Sequence, residues 1–206
     1  MGDSSQIECA RRWLFDHALP LWIEHGVDKE RGGVFDSLNM NSLDNSSAIK
    51  RLRVVTRQIY VFSVGVKEGV DGASDALAHG LESLFCNFRS PKGAFVSSCD
   101  LSGAVLDPTR DLYDLAFTLF SLAHAYSVRP DAALRQEAIG VLEFICHSMR
   151  HSERGLVESI PNRLPRRQNP HMHLFEAMLA CFEHFGDPVY ADFAHGMAKL
   201  FEQNFF

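Results

Sequence analysis

The residues from 166 to 183, RRQNPHMHLFEAMLACFE, bring together several side chains that could do chemistry. If this stretch is a helix, Asn169, His171, His173 and Glu176 lie in its first two turns. Imidazole exchanges protons near neutral pH, and amide and carboxylate groups hydrogen-bond to polar ligands. On a helix His171 and His173 point about 200° apart, so they cannot chelate one metal ion. The pattern therefore favours the polar floor of a pocket over a metal site.

The helix that carries these residues belongs to a repeat. The similar segments GGVFDSL, GAFVSSC and GLVESIP contain Gly33, Gly93 and Gly155, which are 60 and 62 residues apart. Each segment leads through a polar loop into one helical pattern and then a second. One further helix precedes the first repeat. The chain is therefore predicted to be all-α, a single domain over residues 1–206 with about seven helices and short β-hairpin-like loops.

The first helix of each repeat carries polar residues at equivalent positions. These are Arg53, Arg57 and Tyr60 in the first repeat, Thr109 and Tyr113 in the second, and Asn169, His173 and Glu176 in the third. The polar residues occur mainly in the first turns, and small or apolar residues follow. This pattern indicates helices whose N-terminal ends border a cleft, where the helix dipole favours an electron-rich oxygen.

Structural roles compete with this interpretation. Arg57 lies in an apolar run, so it must either bind a ligand or form an ion pair, with Glu176 or Asp114 as the candidate partner. Asp111 could stabilise the dipole of its own helix. Glu176 could orient Arg57 or His173.

Several residues mark the predicted helix ends. Asp107 before Pro108 and Asn169 before Pro170 resemble an N-cap followed by proline at the first helical position. Gly186 should end the sixth helix, because glycine commonly follows the last helical residue.

Composition excludes several classes of protein. The formal net charge is −6 and no basic block occurs, so no nucleic-acid partner is predicted. No apolar run is long enough to cross a membrane. The five cysteines form no CxxC pair, and four lie in apolar helical patterns, which predicts reduced, buried thiols and a cytoplasmic protein. No phosphate-binding or dinucleotide fingerprint occurs.

The segments KRLRVVTRQIYVFS, DLYDLAFTLFSLAHAY and RRQNPHMHLFEAMLACFE resemble first-half motifs of the N-acylglucosamine 2-epimerase family, over nearly the whole chain. The resemblance implies an (α/α)6 barrel of which this chain is the N-terminal part. It also implies an isomerase that converts a monosaccharide to its C2 epimer or to a ketose through an enediolate, without metal or cofactor.

The resemblance assigns roles to four residues. Arg57 matches the arginine that contacts the sugar O1 and O2 region and steadies the enediolate. Tyr113 matches a pocket tyrosine, and Asn169 and His173 match a substrate-contacting pair. The residues left in supporting or undefined roles are Arg53, Asp111, His171 and Glu176, with His171 expected to support packing.

Two departures from the family pattern matter. Arg53 stands where the acetylglucosamine epimerases carry tryptophan, which argues against an N-acetyl sugar and favours a mannose-type substrate. The two proton-transferring histidines of the family lie in its second half, so this chain alone is expected to be inactive. The alternatives are another (α/α)6 enzyme, a glycoside hydrolase or lyase, or a non-catalytic helical-repeat binding module.

In a partial ring the first and last helices would each leave an apolar flank without a neighbour, and the last predicted helix carries a run of apolar residues. They are Phe193, Met197, Leu200, Phe201, Phe205 and Phe206. An exposed apolar surface of this size normally finds a partner. The chain alone is therefore expected to be aggregated, dimeric or marginally folded, and to need either a second copy or a missing C-terminal half.

Overall fold

The computed structural model describes residues 3–91 and 93–205, and helices dominate this part of the chain. The first helix is continuous from α1 (Asp3–Arg12) through the π-helical turn Trp13–Ala18 into α2 (Leu19–His25), because the junction residues keep helical backbone angles. Counted as one, it brings the described helices to seven, which confirms the predicted all-α fold. The segments are α1 (Asp3–Arg12), the turn Trp13–Ala18, α2 (Leu19–His25), α3 (Leu52–Lys67), α4 (Ala73–Asn87), α5 (Leu112–Val128), α6 (Ala132–Ser148), α7 (Gln168–Phe185) and α8 (Pro188–Phe205).

The helices form two layers. Helices α3, α5 and α7 lie side by side in an inner layer, and α4, α6 and α8 each pack on the inner helix that precedes them. The layers approach closely where side chains are small. A Cβ atom at Gly65 of α3 would lie 2.7 Å from Leu19 Cδ2 and 3.0 Å from Ala73 Cβ, so a larger residue there would force Leu19 and α4 to shift.

Five short strands connect the loops of successive repeats. They are β1 (Ile49–Arg51), β2 (Ser98–Asp100), β3 (Val105–Asp107), β4 (Arg110–Asp111) and β5 (Ser159–Ile160). Strands β1, β2 and β3 form one antiparallel sheet, and β4 pairs with β5. Single bridges close the three hairpin-like segments, at Val27 with Val34, Arg89 with Phe95, and Arg150 with Leu156. These pairings fix the loops above the N-terminal ends of the inner helices.

Two predicted helix starts are wrong. Helix α5 begins at Leu112, and the N-cap is Asp111, whose Oδ1 accepts from the Tyr113 backbone N at 3.0 Å. Asp107 instead belongs to β3, because strand pairing overrides the proline signal. Helix α7 already begins at Gln168, so Asn169 is its second residue and not its cap. The predicted end at Gly186 is confirmed by its left-handed φ of 72°.

A buried ion pair holds the first repeat together. Lys50 Nζ donates to Asp28 Oδ2 at 2.7 Å and to the Gly32 carbonyl at 2.5 Å, and both charged side chains are almost fully buried. Burial is the largest single influence and raises the pKa of Asp28, but the hydrogen bond and charge of Lys50 together with backbone hydrogen bonds from Glu30 and Arg31 outweigh it, and the pKa is lowered. The pair therefore ties the segment after α2 to β1 immediately before inner helix α3.

The expected exposed surface on the last helix is wrong for the residues that can be compared. Met197 is buried, Phe193 is half-buried against the core, and Leu200 and Phe201 are half-buried. Phe206 and the side chain of Phe205 lie outside the described residues. Exposed apolar side chains lie instead on the first helix, at Ile7, Trp13 and Leu14, and on inner helix α7, at Met172, Leu179 and Phe182, with Val189 at the start of α8. The error arose because an outer helix buries its apolar side on the inner helix that precedes it. An inner helix, in contrast, needs a neighbouring helix on each of its two flanks.

The thiol prediction is correct only in part. Among the five cysteines, which form no disulfide, Cys99 and Cys181 are buried, Cys146 is half-buried, and Cys9 and Cys86 are exposed. Burial raises the pKa of Cys99 to about 11, so this thiol is protonated at neutral pH.

Candidate functional site

The inner helices bring Arg57, Tyr113 and His173 together near their N-terminal ends. Arg57 Nη2 donates to the Tyr113 hydroxyl, and Arg57 Cζ lies 4.3 Å from the ring centroid of Phe117. Tyr113 and His173 make an edge contact with centroids 5.1 Å apart. Arg57 is exposed, and among the described residues it has no carboxylate partner. Its guanidinium is therefore held in place by aromatic rings and remains available to a ligand.

His173 is half-buried between aromatic rings, with the Phe117 centroid at 4.8 Å. Its Nδ1 lies 3.0 Å from Glu176 Oε2. A carboxylate only accepts, so Nδ1 carries the proton in this contact. In neutral His173 the lone pair then lies on Nε2, which can accept a hydrogen bond from a ligand hydroxyl. Glu176 thus orients His173, one of the two roles predicted for it.

A cleft of about 520 Å³ opens beside this cluster. Tyr113 connects the two, because it lines the cleft and also contacts Arg57 and His173. Asn169, at the start of α7, is exposed and lines the same cleft. The complete lining is Arg53, Asp111, Tyr113, Arg163, Leu164, Pro165, Arg167, Asn169 and Pro170.

The sequence left Asp114 as a candidate ion-pair partner of Arg57. In the structure Arg53 forms this ion pair instead. Its Nε lies 3.0 Å from Asp114 Oδ1, and Ser97 Oγ donates to Asp114 Oδ2 at 2.9 Å. Burial raises the pKa of Asp114 to about 6, with Arg53 acting against it. Burial is the largest single influence and lowers the pKa of Arg53, but the charge and hydrogen bond of Asp114 together with the nearby Asp111 and Tyr113 outweigh it, and the pKa is raised. Asp114 therefore positions Arg53 and does not face the cleft.

Two further arginines of the lining are also held by buried carboxylates. Arg163 pairs with Asp111, which caps α5 with its other oxygen, and Arg167 pairs with Glu158. The backbone N of Arg167 also donates to Glu158 Oε2 at 2.9 Å. We call Arg53, Arg163 and Arg167 the arginine rim.

His171 does not line this cleft. The Leu156 backbone N donates to its Nε2 at 3.2 Å, and its Nδ1 lies 3.1 Å from the Arg167 carbonyl oxygen. Both contacts require neutral imidazole with the proton on Nδ1. Burial lowers the pKa of His171, which favours the same neutral form. His171 thus links the loop after α6 to the start of α7.

Sequence reasoning missed Arg163 and Arg167 of the arginine rim and a second group of rings. Arg163 and Arg167 lie in a loop without periodicity, although the dense run NRLPRR was a visible signal. Deeper along the inner layer, His124 contacts Phe120 and His184 at centroid distances of 4.4 and 4.9 Å.

The described residues contain no group of three or more His, Cys, Asp or Glu that could hold a metal ion. In the same part of the chain, no helix combines the length and the apolar character that crossing a bilayer requires.

The layered helix pairs and the cleft at one end of the inner layer define the class of fold. It is the (α/α)6 barrel, of which this chain forms a part. The structure of cellobiose 2-epimerase from Bacillus thermoamylovorans B4167 matches with a TM-score of 0.91 at 18% identity, over 98% of this chain and 57% of that one. At this identity the likeness establishes the fold.

The sequence establishes the family. The profile of N-acylglucosamine 2-epimerase (GlcNAc 2-epimerase) matches residues 8–206, and the chain belongs to that family. It is 34% identical over 195 residues to a mannose-6-phosphate isomerase of Rhizobium meliloti (strain 1021), covering 91% of this chain and 50% of that protein. It is 31% identical over 157 residues to a D-mannose isomerase of Thermobifida fusca, covering 72% of this chain and 38% of that protein. The chain thus spans half or less of the length of these curated relatives.

Proposed function

We propose that this chain carries the sugar-binding and charge-stabilising part of a sugar 2-epimerase or aldose–ketose isomerase. The observation that supports it most is the contact between Arg57, Tyr113 and His173 at the N-terminal ends of three inner helices. An enediolate carries negative charge on neighbouring oxygens. A guanidinium without a carboxylate partner can bind both oxygens, and nearby helix N-termini favour the same charge.

The other site residues would bind the sugar. His173 offers Nε2 to a sugar hydroxyl, and the Asn169 amide can both donate and accept. Proton transfer at C1 and C2 needs groups with a pKa near neutrality, which suits histidine. By family resemblance those histidines belong to later inner helices, so this chain alone is proposed to bind sugar without turning it over. Both curated relatives carry mannose in their names, which supports a mannose-type substrate.

The test follows the hydrogen on C2. The full-length protein containing this chain would be incubated with D-mannose in D2O, and NMR would follow formation of ketose or epimer and the entry of deuterium at C1 of the ketose or C2 of the epimer. We expect both in the wild type and a large loss of rate in Arg57→Lys. Arg89→Lys is the matched control, because Arg89 pairs with Glu137 and does not line the cleft. Conversion without solvent deuterium at C1 of the ketose or C2 of the epimer, or equal rates in wild type and Arg57→Lys, would overturn the mechanism.

A glycoside hydrolase or lyase of the same fold is the alternative. It would need two carboxylates facing the cleft. Asp111 and Asp114 are both buried and both engaged by arginines, which disfavours this reaction. A non-catalytic binding module would retain mannose binding and show no exchange at C2.

The exposed side chains of Met172, Leu179 and Phe182 on α7 support a further inner helix as neighbour. We propose that this helix comes from the same polypeptide, with a homodimer as the alternative. We also propose a cytoplasmic location, on the pattern of the cysteines in the sequence.

A further inference from the structure

We propose that the arginine rim binds the phosphate group of a phosphorylated sugar, a proposal that rests on the sugar chemistry proposed above. Arg53, Arg163 and Arg167 line one cleft, and the amide of Asn169 lies in the same lining. Guanidinium groups bind phosphate through paired N–H groups, in the geometry that a phosphate monoester requires.

The rim arginines are fixed before any ligand arrives. Each is held from behind by a carboxylate that is at most 4% exposed, in the pairs Arg53 with Asp114, Arg163 with Asp111, and Arg167 with Glu158. The arginine side chains themselves are 37%, 53% and 56% exposed. A guanidinium has five N–H donors, and each carboxylate occupies only one edge. The remaining donors can therefore reach a ligand. Because the arginine side chains are already ordered in the folded protein, ligand binding costs little further side-chain entropy.

The lining offers hydrogen-bond donors more than net charge. Its three arginines are each paired with a buried carboxylate, Asp111, Asp114 or Glu158, so the charges of the rim nearly cancel. The guanidinium edges that face the cleft of about 520 Å³ still carry N–H donors. A phosphate monoester has three acceptor oxygens and carries about −1.5 to −2 charges at neutral pH, so it accepts from several of these donors more strongly than the hydroxyls of an uncharged hexose do.

The rim also adjoins the groups proposed to act on the sugar. Tyr113 lines the cleft and accepts the hydrogen bond from Arg57. A sugar with its O1 and O2 at Arg57 would therefore extend its far end along the cleft toward the rim. The phosphate position that fits is the terminal carbon of the sugar, away from the reacting carbons.

Calorimetric titration of the full-length protein in phosphate-free buffer tests the proposal, with D-mannose, D-mannose 6-phosphate and inorganic phosphate as ligands. We expect mannose 6-phosphate to bind at least about tenfold more tightly than mannose, because one charge-assisted hydrogen bond alone can supply that factor. Inorganic phosphate should compete with mannose 6-phosphate, and added salt should weaken the phosphorylated ligand more than mannose. Equal affinity for the two sugars would overturn the proposal.

Variants locate the binding site. Arg163→Gln and Arg167→Gln should each lower the preference for the phosphorylated sugar by about tenfold. Arg89→Gln, which removes an arginine of similar exposure outside the cleft, should leave the preference unchanged. If Arg163→Gln fails to fold, the double variant R163Q/D111N leaves no buried unpaired charge and keeps an N-cap residue at position 111. A preference that survives in both rim variants would also overturn the proposal.

The two proposals can fail separately. Binding preference needs no turnover, so a protein that prefers mannose 6-phosphate but exchanges no hydrogen at C2 keeps the rim site and loses the proposed reaction. A protein that isomerises mannose without any preference for the phosphorylated sugar keeps the reaction and loses the rim site.

Discussion

Replacement of His124 by phenylalanine should make the stability of the chain less sensitive to acid. The imidazole of His124 packs against Tyr60, Phe120 and His184, with ring centroids 4.7, 4.4 and 4.9 Å away. Burial, with a further contribution from His184, lowers the pKa of His124 to about 4 from an ordinary value of 6.5. The other charged groups that act on it are Glu183, Lys67 and Glu176.

The sign follows from proton uptake. Below pH 6.5 the unfolded chain binds a proton at His124, whereas the folded chain resists until about pH 4. The stability contributed by neutral His124 is therefore complete above pH 6.5 and is lost as the pH falls toward 4. For these two pKa values the loss between pH 7 and pH 5 is about 2 kcal/mol. Asp114, whose pKa is raised to about 6 by burial, changes stability in the opposite direction over an overlapping range.

Because of that opposition, the measurement must compare variants at each pH. Urea unfolding of wild type and His124→Phe at pH 7 and pH 5 should show the variant gaining about 2 kcal/mol relative to wild type at the lower pH. His195→Phe, which removes an exposed imidazole from α8, is the control and should follow the wild type. If the free energies of wild type and His124→Phe change in parallel to within about 0.5 kcal/mol, burial of neutral His124 is not the cause.

Four other changes test separate parts of the structure. Arg57→Lys in the full-length enzyme should lower kcat/KM by about 10²–10³ while changing the free energy of unfolding by under about 1 kcal/mol, because Arg57 is exposed. Lys50→Met should destabilise the chain by about 3–5 kcal/mol in urea, since Asp28 is left buried and unpaired, and adding Asp28→Asn should recover part of the loss. His171→Phe should cost about 2 kcal/mol or more, because two backbone groups lose their partner, and a smaller cost would contradict its linking role. Leu179→Glu should reduce self-association of residues 1–206 in light scattering, and unchanged association would exclude the α7 surface.

Hydrophobic periodicity predicted the helices, and the sequence repeat predicted which positions of the inner helices are equivalent. Arg57, Tyr113 and His173 hold equivalent places in three repeats, and side-by-side packing of the inner helices brings equivalent places together. The spacing therefore predicted their proximity without knowledge of any contact. It could not predict that Arg53, rather than Arg57, would pair with Asp114. The two arginines lie about one helical turn apart, so both could approach the same carboxylate, and only the packing decides which one does.

Features that depend on loops or on distant segments were harder to predict. The first residue of α5 was misplaced because Pro108 suggested a helix where β2 pairs with β3. Arg163 and Arg167 lie in a loop, where no period says which way a side chain points. His124 and His184 meet only because α5 and α7 pack together, and a single helical pattern carries no such information.

The carboxylates behind the arginine rim restrict how this site can change in evolution. Replacing Arg163 alone would leave Asp111 buried without a counter-charge, and the same holds for Arg167 and Glu158. An unpaired buried charge can cost a large fraction of the stability of a domain. Homologues that have lost a rim arginine should therefore also have lost its carboxylate, so that each pair is inherited or exchanged as a unit. Divergence of ligand preference at this cleft would then proceed by paired substitutions, with few viable single-residue intermediates.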